Sequence, residues 1–311
     1  MRHACVVLGA LAALSLAEIL TGPAGLDLSV LEPVRLPRVL GALTAGALLG
    51  VSGLVLQTLW RNPLADPYIM GVCSVSILSA LCFYLAWRAW GAPYVGYAAG
   101  ALLGAAASTA ALTWLARRAD LLVVLLTGVL LSFAAHSVTQ LLLLALPPEE
   151  LGFIYLGLQG SFAAYPSGPV GYAAAAAAIA VILAIYLNAR HVAALVHGEE
   201  AAAGLGVDVR RAAALAVGAA AVAAGLVVAL VGPVGFVGLM APHMARWISG
   251  RQRVDATLAV TAMTGAATAL AADAVVRLAL PREVPVNVPL SLVGAPAAVL
   301  LMWRYRHARG V

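Results

Sequence analysis

Apolar residues in this chain neither alternate nor keep to one helical stripe. They run in blocks about as long as the ~20 residues needed to cross a bilayer core. Blocks of that order cover residues 4–20, 37–57, 68–87, 93–116, 121–146, 168–189, 212–231, 256–280 and 285–303, with a shorter one at 233–248. A helix that is apolar all round needs protein or lipid on every side. The pattern predicts an all-α, polytopic membrane protein of about ten transmembrane helices, a single transmembrane domain over residues 1–311. The first block follows Arg2 and carries Ser15, Leu16 and Ala17, as a signal-peptide cleavage site would; nine further blocks favour a retained first helix.

Where the blocks are interrupted, the residue types have specific uses. Gly46, Gly50, Gly53 and Gln57 form one helical stripe. Its glycines suit close helix packing, while the terminal amide of Gln57 is a candidate for the substrate path. Gly96, Gly100, Gly104 and Ser108 form a second stripe, read as packing. In Arg61-Asn62-Pro63-Leu64-Ala65-Asp66-Pro67, Asn62 and Asp66 suit caps and the prolines suit first helical positions, so the chain turns there. The segment 232–246 holds Gly232, Pro233, Gly235, Gly238 and Pro242 and is too broken for an ordinary spanning helix. Such backbone is tolerated at depth only where protein or a watery cavity covers it. Its His243 has no HExxH setting and is read as a capping or packing residue rather than a metal ligand. Among the leucines of 121–146, His136, Ser137, Thr139 and Gln140 cluster. Polar groups within a membrane usually face a bundle interior or a path, which makes His136 and Gln140 path candidates, with an interhelical hydrogen bond as the alternative.

Composition removes other classes. The chain is 63% hydrophobic and 10% charged, with mean hydropathy +1.00, far from the ~25% charged of soluble domains. All 18 basic residues are arginine. Without lysine the chain has neither a P-loop cation nor a Schiff-base amine, so it is not an ATPase by itself. No GxSxG elbow, HExxH or pair of intramembrane aspartates marks a hydrolase. The three cysteines, Cys5, Cys73 and Cys82, lie in apolar stretches without metal-ligand spacing. Neither a cofactor nor a metal site is expected.

Ten spans from an inner N-terminus place thirteen arginines, among them Arg61, Arg117, Arg118 and Arg246, in the cytoplasm, and leave Arg35, Arg38, Arg88, Arg277 and Arg282 outside. This positive-inside bias predicts that both termini are cytoplasmic. It also explains a pI near 9.4 without nucleic acid, for which no motif is present. Arg38, Gly46, Gly53, Leu54 and Val55 recur at identical spacing as Arg210, Gly218, Gly225, Leu226 and Val227. The first set starts outside and the second inside, as in an inverted-topology repeat.

With these motifs in view, the chain resembles, nearly end to end, the FecCD family of ABC-importer permeases, which carries cobalamin, haem and ferric siderophores. The likeness rests on Arg35-Leu36-Pro37-Arg38, on Asn62-Pro63-Leu64-Ala65-Asp66-Pro67, on the block from Gly235-Phe236-Val237-Gly238-Leu239 through Pro242-His243 to Arg246, and on Gly294-Ala295-Pro296. A further block, His197-Gly198-Glu199-Glu200-Ala201-Ala202-Ala203-Gly204-Leu205-Gly206-Val207, is similar to the family's cytoplasmic coupling loop, departing from it at His197, where leucine is usual.

The resemblance implies that His197, Gly198, Glu199, Glu200, Ala203, Leu205 and Gly206, within a loop of about 190–211, contact an ATPase. It implies that Arg35, Arg38 and Arg277 receive acidic residues of a binding protein, for which the planar guanidinium fork is suited. The expected assembly is a homodimer of this permease in the cell membrane, with two separate ATPase subunits inside and an extracellular or periplasmic substrate-binding protein outside. The rival reading, an ion-coupled secondary transporter, needs buried carboxylates, whereas most of the 13 acidic residues fall at segment ends.

Overall fold

A computed structural model describes residues 2–20, 31–279 and 284–308. Arg282 and Arg309 lie outside the described residues, as do the side chains of His197 and Glu199. The helices are α1 (Arg2–Leu20), α2 (Leu36–Leu59), α3 (Val72–Arg88), α4 (Pro93–Ala116), α5 (Leu121–Leu144), α6 (Pro148–Gly157), α7 (Gly168–Ala194), α8 (Glu199–Gly204), α9 (Val209–Val231), α10 (Val237–Ser249), α11 (Val254–Ala279) and α12 (Asn287–Ala308). A π-helical turn, Leu31–Arg35, leads into α2, and short 3-10 turns sit at Pro67–Met70, Phe162–Ala164 and Leu195–His197. Among the described residues no strand occurs.

Six helical stretches are long and apolar enough to cross a membrane: Leu31–Leu59, Val95–Ala116, Leu121–Leu144, Gly168–Ala194, Val209–Val231 and Val254–Arg277. The remaining expected blocks are helical too, with shorter apolar parts: Val7–Ala17, Val72–Arg88 and Asn287–Leu300. The segment 233–248 yields only the 13-residue α10.

α2 is the hub, packed against α7, α9, α10 and α11. Its glycine stripe makes this possible. A Cβ on Gly46 would strike the Gly265 carbonyl of α11, and one on Gly53 would strike Gly238 of α10. The second stripe acts likewise on α3: a Cβ at Gly96, Gly100 or Gly104 would lie 2.5 to 2.6 Å from Phe83, Ser79 or their neighbours. Both stripes are packing seams, since small residues let backbones meet where lipid supplies no hydrophobic drive. Around α2 lie two apolar clusters, one built on Val51, Leu54, Val72, Val217 and Leu258, the other on Leu48, Leu49, Phe162, Leu270 and Leu290.

Candidate functional site

The interrupted segment before α10 is held by α12 and by the turn at Ser161. Phe236 has φ 64°, a left-handed conformation that is costly for a bulky residue. Its ring fills the space left by Gly294 of α12, where a Cβ would stand 2.5 Å from the ring. That contact explains the glycine of Gly294-Ala295-Pro296. The interrupted, buried backbone is closed by Asn287: Nδ2 donates to the carbonyls of Gln159 and Pro233 at 2.8 Å each, and Oδ1 accepts from the Gly235 amide at 2.9 Å. The Ser161 amide adds a bond to the Val231 carbonyl at 2.8 Å. Non-helical backbone at membrane depth must find partners within the protein, and these residues provide them. Asn287 was not singled out by sequence; its one legible signal is an amide at the start of an apolar block.

Lower on α10, Pro242 lacks an N–H, so the helix cannot satisfy the carbonyl four residues earlier, at Gly238. Gln57 fills that place: its buried amide nitrogen donates to the Gly238 carbonyl at 3.3 Å and the Leu239 carbonyl at 3.2 Å. Its Oε1 accepts from Arg246 Nη1 at 3.2 Å. The structure thus places this path candidate at the α2–α10 crossing, with both ends of its amide engaged.

The turn after α2 packs on the same helix. His243 Nε2 lies 2.8 Å from the Pro63 carbonyl; a carbonyl only accepts, so this nitrogen carries the proton. Asn62 Oδ1 accepts from the Leu64 amide at 3.0 Å and Asp66 Oδ1 from the Tyr68 amide at 2.7 Å, so both residues are turn caps as expected. Asp66 Oδ2 is buried without a hydrogen-bond partner beside Gly238. Burial pushes its carboxyl up to about 6, against the weaker pull of the Tyr68 and Leu239 amides.

The loop 195–207 lies next to this turn. Gly198 has φ 110°, and a Cβ there would stand 2.9 Å from Arg61 Nη2. Leu195 and Ala202 are buried and root the loop in the core of α2, α7 and α9. Glu200, Ala203, Leu205 and Gly206 are exposed, Leu205 to 71%. The loop is thus anchored on one side and shows Glu200 and Leu205 on the other.

At the opposite ends of α2 and α11, Arg38 and Asp273 form a buried bidentate pair, Nε–Oδ2 at 2.8 Å and Nη2–Oδ1 at 2.9 Å. Arg35 is also buried, its Nη1 donating to the Ile19 carbonyl at 2.9 Å. Arg277, one turn along α11 from Asp273, is half-buried. His136 and Gln140 are exposed on α5, their Nε2 atoms 3.3 Å apart, among outward-facing Leu130, Phe133, Leu141 and Leu144. Among the described residues, no group of three or more His, Cys, Asp or Glu side chains could hold a metal ion.

Comparison with known proteins adds an independent line. The model of the FecCD transport family matches residues 4–304. A cobalamin import system permease protein, BtuC of Halobacterium salinarum, is 35% identical over 293 residues, 91% of this chain and 75% of that protein. The ferric enterobactin permease FepD of Escherichia coli is 33% identical, covering 89% of this chain and 83% of its own length. The hemin permease HmuU of Yersinia pestis is 33% identical, with 89% and 84% covered. A solved chain described as an inward-facing conformation of a metal-chelate type ABC transporter superposes with TM-score 0.84 at 27% identity, covering 97% of this chain and 98% of that one.

Proposed function

Since the chain belongs to the FecCD transport family, as an integral membrane permease of an ATP-binding-cassette importer and not an enzyme, we propose that it moves a metal chelate. The class is cobalamin, haem or a ferric siderophore, received from a substrate-binding protein. Its single transmembrane domain spans the membrane about ten times as an inverted repeat with both termini cytoplasmic. Two copies, two ATPase chains and one outer binding protein complete the assembly in the cell membrane.

One observation carries the reading: the loop 195–207 is rooted by Leu195 and Ala202 yet presents Glu200, Ala203 and Leu205 outward. We assign it to ATPase contact, together with His197, Gly198, Glu199 and Gly206. Because Gly198 abuts Arg61, and the turn after Arg61 packs on α10, a push on the loop has a direct route to the broken helix.

His136 and Gln140 are proposed to line the path where two α5 helices meet. A polar pair is costly in hydrocarbon, which supports a covering partner or water there. Gln57 reaches the path only in a state where α10 has left α2. Arg35, Arg38 and Arg277 are proposed to receive the binding protein. Arg38 is held by Asp273, so a donor carboxylate displaces that residue or leaves docking to the other two.

An ion-coupled carrier needs a carboxylate free to change charge. Asp273 is buried but paired with Arg38, and Asp66, buried with one oxygen unpartnered, sits in the turn after α2 rather than within a span; both placements disfavour that role. Leu205→Glu tests the loop: in membranes holding the chain with its co-purified ATPase, ATP hydrolysis should stop responding to the loaded binding protein. An unchanged response places the coupling surface elsewhere.

A further inference from the structure

Two of the spans, α4 and α9, leave an unfilled furrow between them. Their backbones meet closely, since a Cβ on Gly225 of α9 would collide with Ala105 of α4 and one on Gly218 would stand 2.8 Å from Thr113 Oγ1. Larger side chains to either side, Leu102 on α4 and Val222 and Leu226 on α9, wall a trough of about 560 Å³. Its lining is apolar apart from Thr109 and Thr113, whose hydroxyls are buried without a hydrogen-bond partner, and one end is closed by Arg117, with Trp114 beside it. From Leu102 to Arg117 the trough follows about 22 Å of helix at ~1.5 Å per residue, more than the ~15 Å depth of one leaflet's hydrocarbon.

The charged end is organised. Trp114 is 54% exposed, and the Arg118 guanidinium lies over its ring, 4.6 Å from the centroid. Arg117 and Arg118 are both exposed and appear in no ion pair among the described residues. An aromatic ring with two arginines at the end of an apolar span sits at headgroup level, and under the proposed orientation that level is cytoplasmic, where anionic lipid concentrates.

We propose that this furrow is a binding site for one anionic phospholipid of the inner leaflet, its phosphate on Arg117 and Arg118 and one acyl chain laid between α4 and α9. Charge complementarity selects the occupant. A neutral lipid gains only the apolar contact, and a soluble phosphate only the arginines; an acidic phospholipid gains both. The assignment rests on the membrane orientation proposed above, because with the opposite orientation the arginines face the outer surface. Since α9 begins just after the coupling loop, a lipid wedged along it is placed to stabilise one packing of α9 against α4.

The test is native mass spectrometry of the full complex, released from detergent after equilibration with phosphatidylglycerol, phosphatidylcholine or glycerol 3-phosphate, all at equal concentration. The wild type should retain phosphatidylglycerol over phosphatidylcholine by about fivefold per contributing arginine, and should not retain glycerol 3-phosphate. Arg117→Gln with Arg118→Gln should erase that preference. Ala106→Phe, which fills the trough from an exposed position on α4, should lower retention of both lipids while the complex keeps its mass. The proposal is overturned if the wild type retains both lipids equally, if the glutamine variants keep the preference, or if glycerol 3-phosphate binds as well as the lipid. It is overturned too if Ala106→Phe dissociates the two permease copies, since the furrow then belongs to a second copy of this chain. Failure of the orientation is read separately, by finding Arg117→Cys labelled only from the outer side.

Discussion

Asn287 carries more of the interrupted backbone than any other residue described. Its amide closes two carbonyls and one N–H that no helix can serve, and a buried polar group left unpaired costs about 1–3 kcal/mol. Asn287→Leu should therefore lower stability by about 3 kcal/mol or more, read as an earlier thermal transition in detergent, whereas Asn287→Asp should keep the Gly235 bond and lose less. Asp66 makes a pH-dependent contribution of opposite sense to most carboxylates. Its folded value of about 6 lies above the ordinary 3.8, so the folded state holds the proton more tightly than the unfolded one. Its stabilising contribution is present below pH 4 and is lost as pH rises through about 6. Asp66→Asn keeps an acceptor for the Tyr68 amide and removes the charge. Between pH 5 and 8 the thermal transition of the wild type should fall relative to that of the variant; parallel profiles would show that Asp66 titrates normally. At the N-terminal end of α2, Asp273→Ala leaves the buried Arg38 without its carboxylate, a loss of about 3–5 kcal/mol, checked by the same melting measurement.

At the scale of elements, a period-free apolar run was enough to locate α2, α4, α5, α7, α9 and α11, because in lipid only a helix satisfies its own backbone. The glycine stripes of α2 and α4 were legible as packing seams for the same reason. Three details were not. The glycines and prolines of block 233–248 mark a break, but no residue type marks Phe236 as the one that enters the left-handed region before α10 starts. Gln57 was readable as a polar residue at the end of a stripe, but its partner is created by Pro242, 185 positions further along, and no local pattern links the two. Arg38 likewise reads as an outward cation until the fold supplies Asp273. Gly53 shows how little slack the α2–α10 crossing has: Gly53→Val puts a branched side chain against the Gly238 carbonyl. That variant should reduce the yield of folded protein in detergent, while Gly9→Ala, with open space around it, should leave it unchanged.

For the whole molecule, no residue of this chain needs to make or break a covalent bond. The loop proposed to meet the ATPase and the broken helix are joined by a short route, from α8 through Gly198 and Arg61 to the turn that rests on α10. Transport then requires two packings of this set that differ in affinity for the partners outside and inside. The furrow between α4 and α9 and the polar pair on α5 are surfaces on which such packings can differ. The most direct measurement is uptake into proteoliposomes that hold the chain with its co-purified ATPase and binding protein, using labelled cobalamin, haem and ferric enterobactin in turn. One of these chelates should accumulate only with ATP on the ATPase side, undiminished by ionophores that collapse ion gradients. Accumulation without ATP that disappears with the ion gradient would contradict the account.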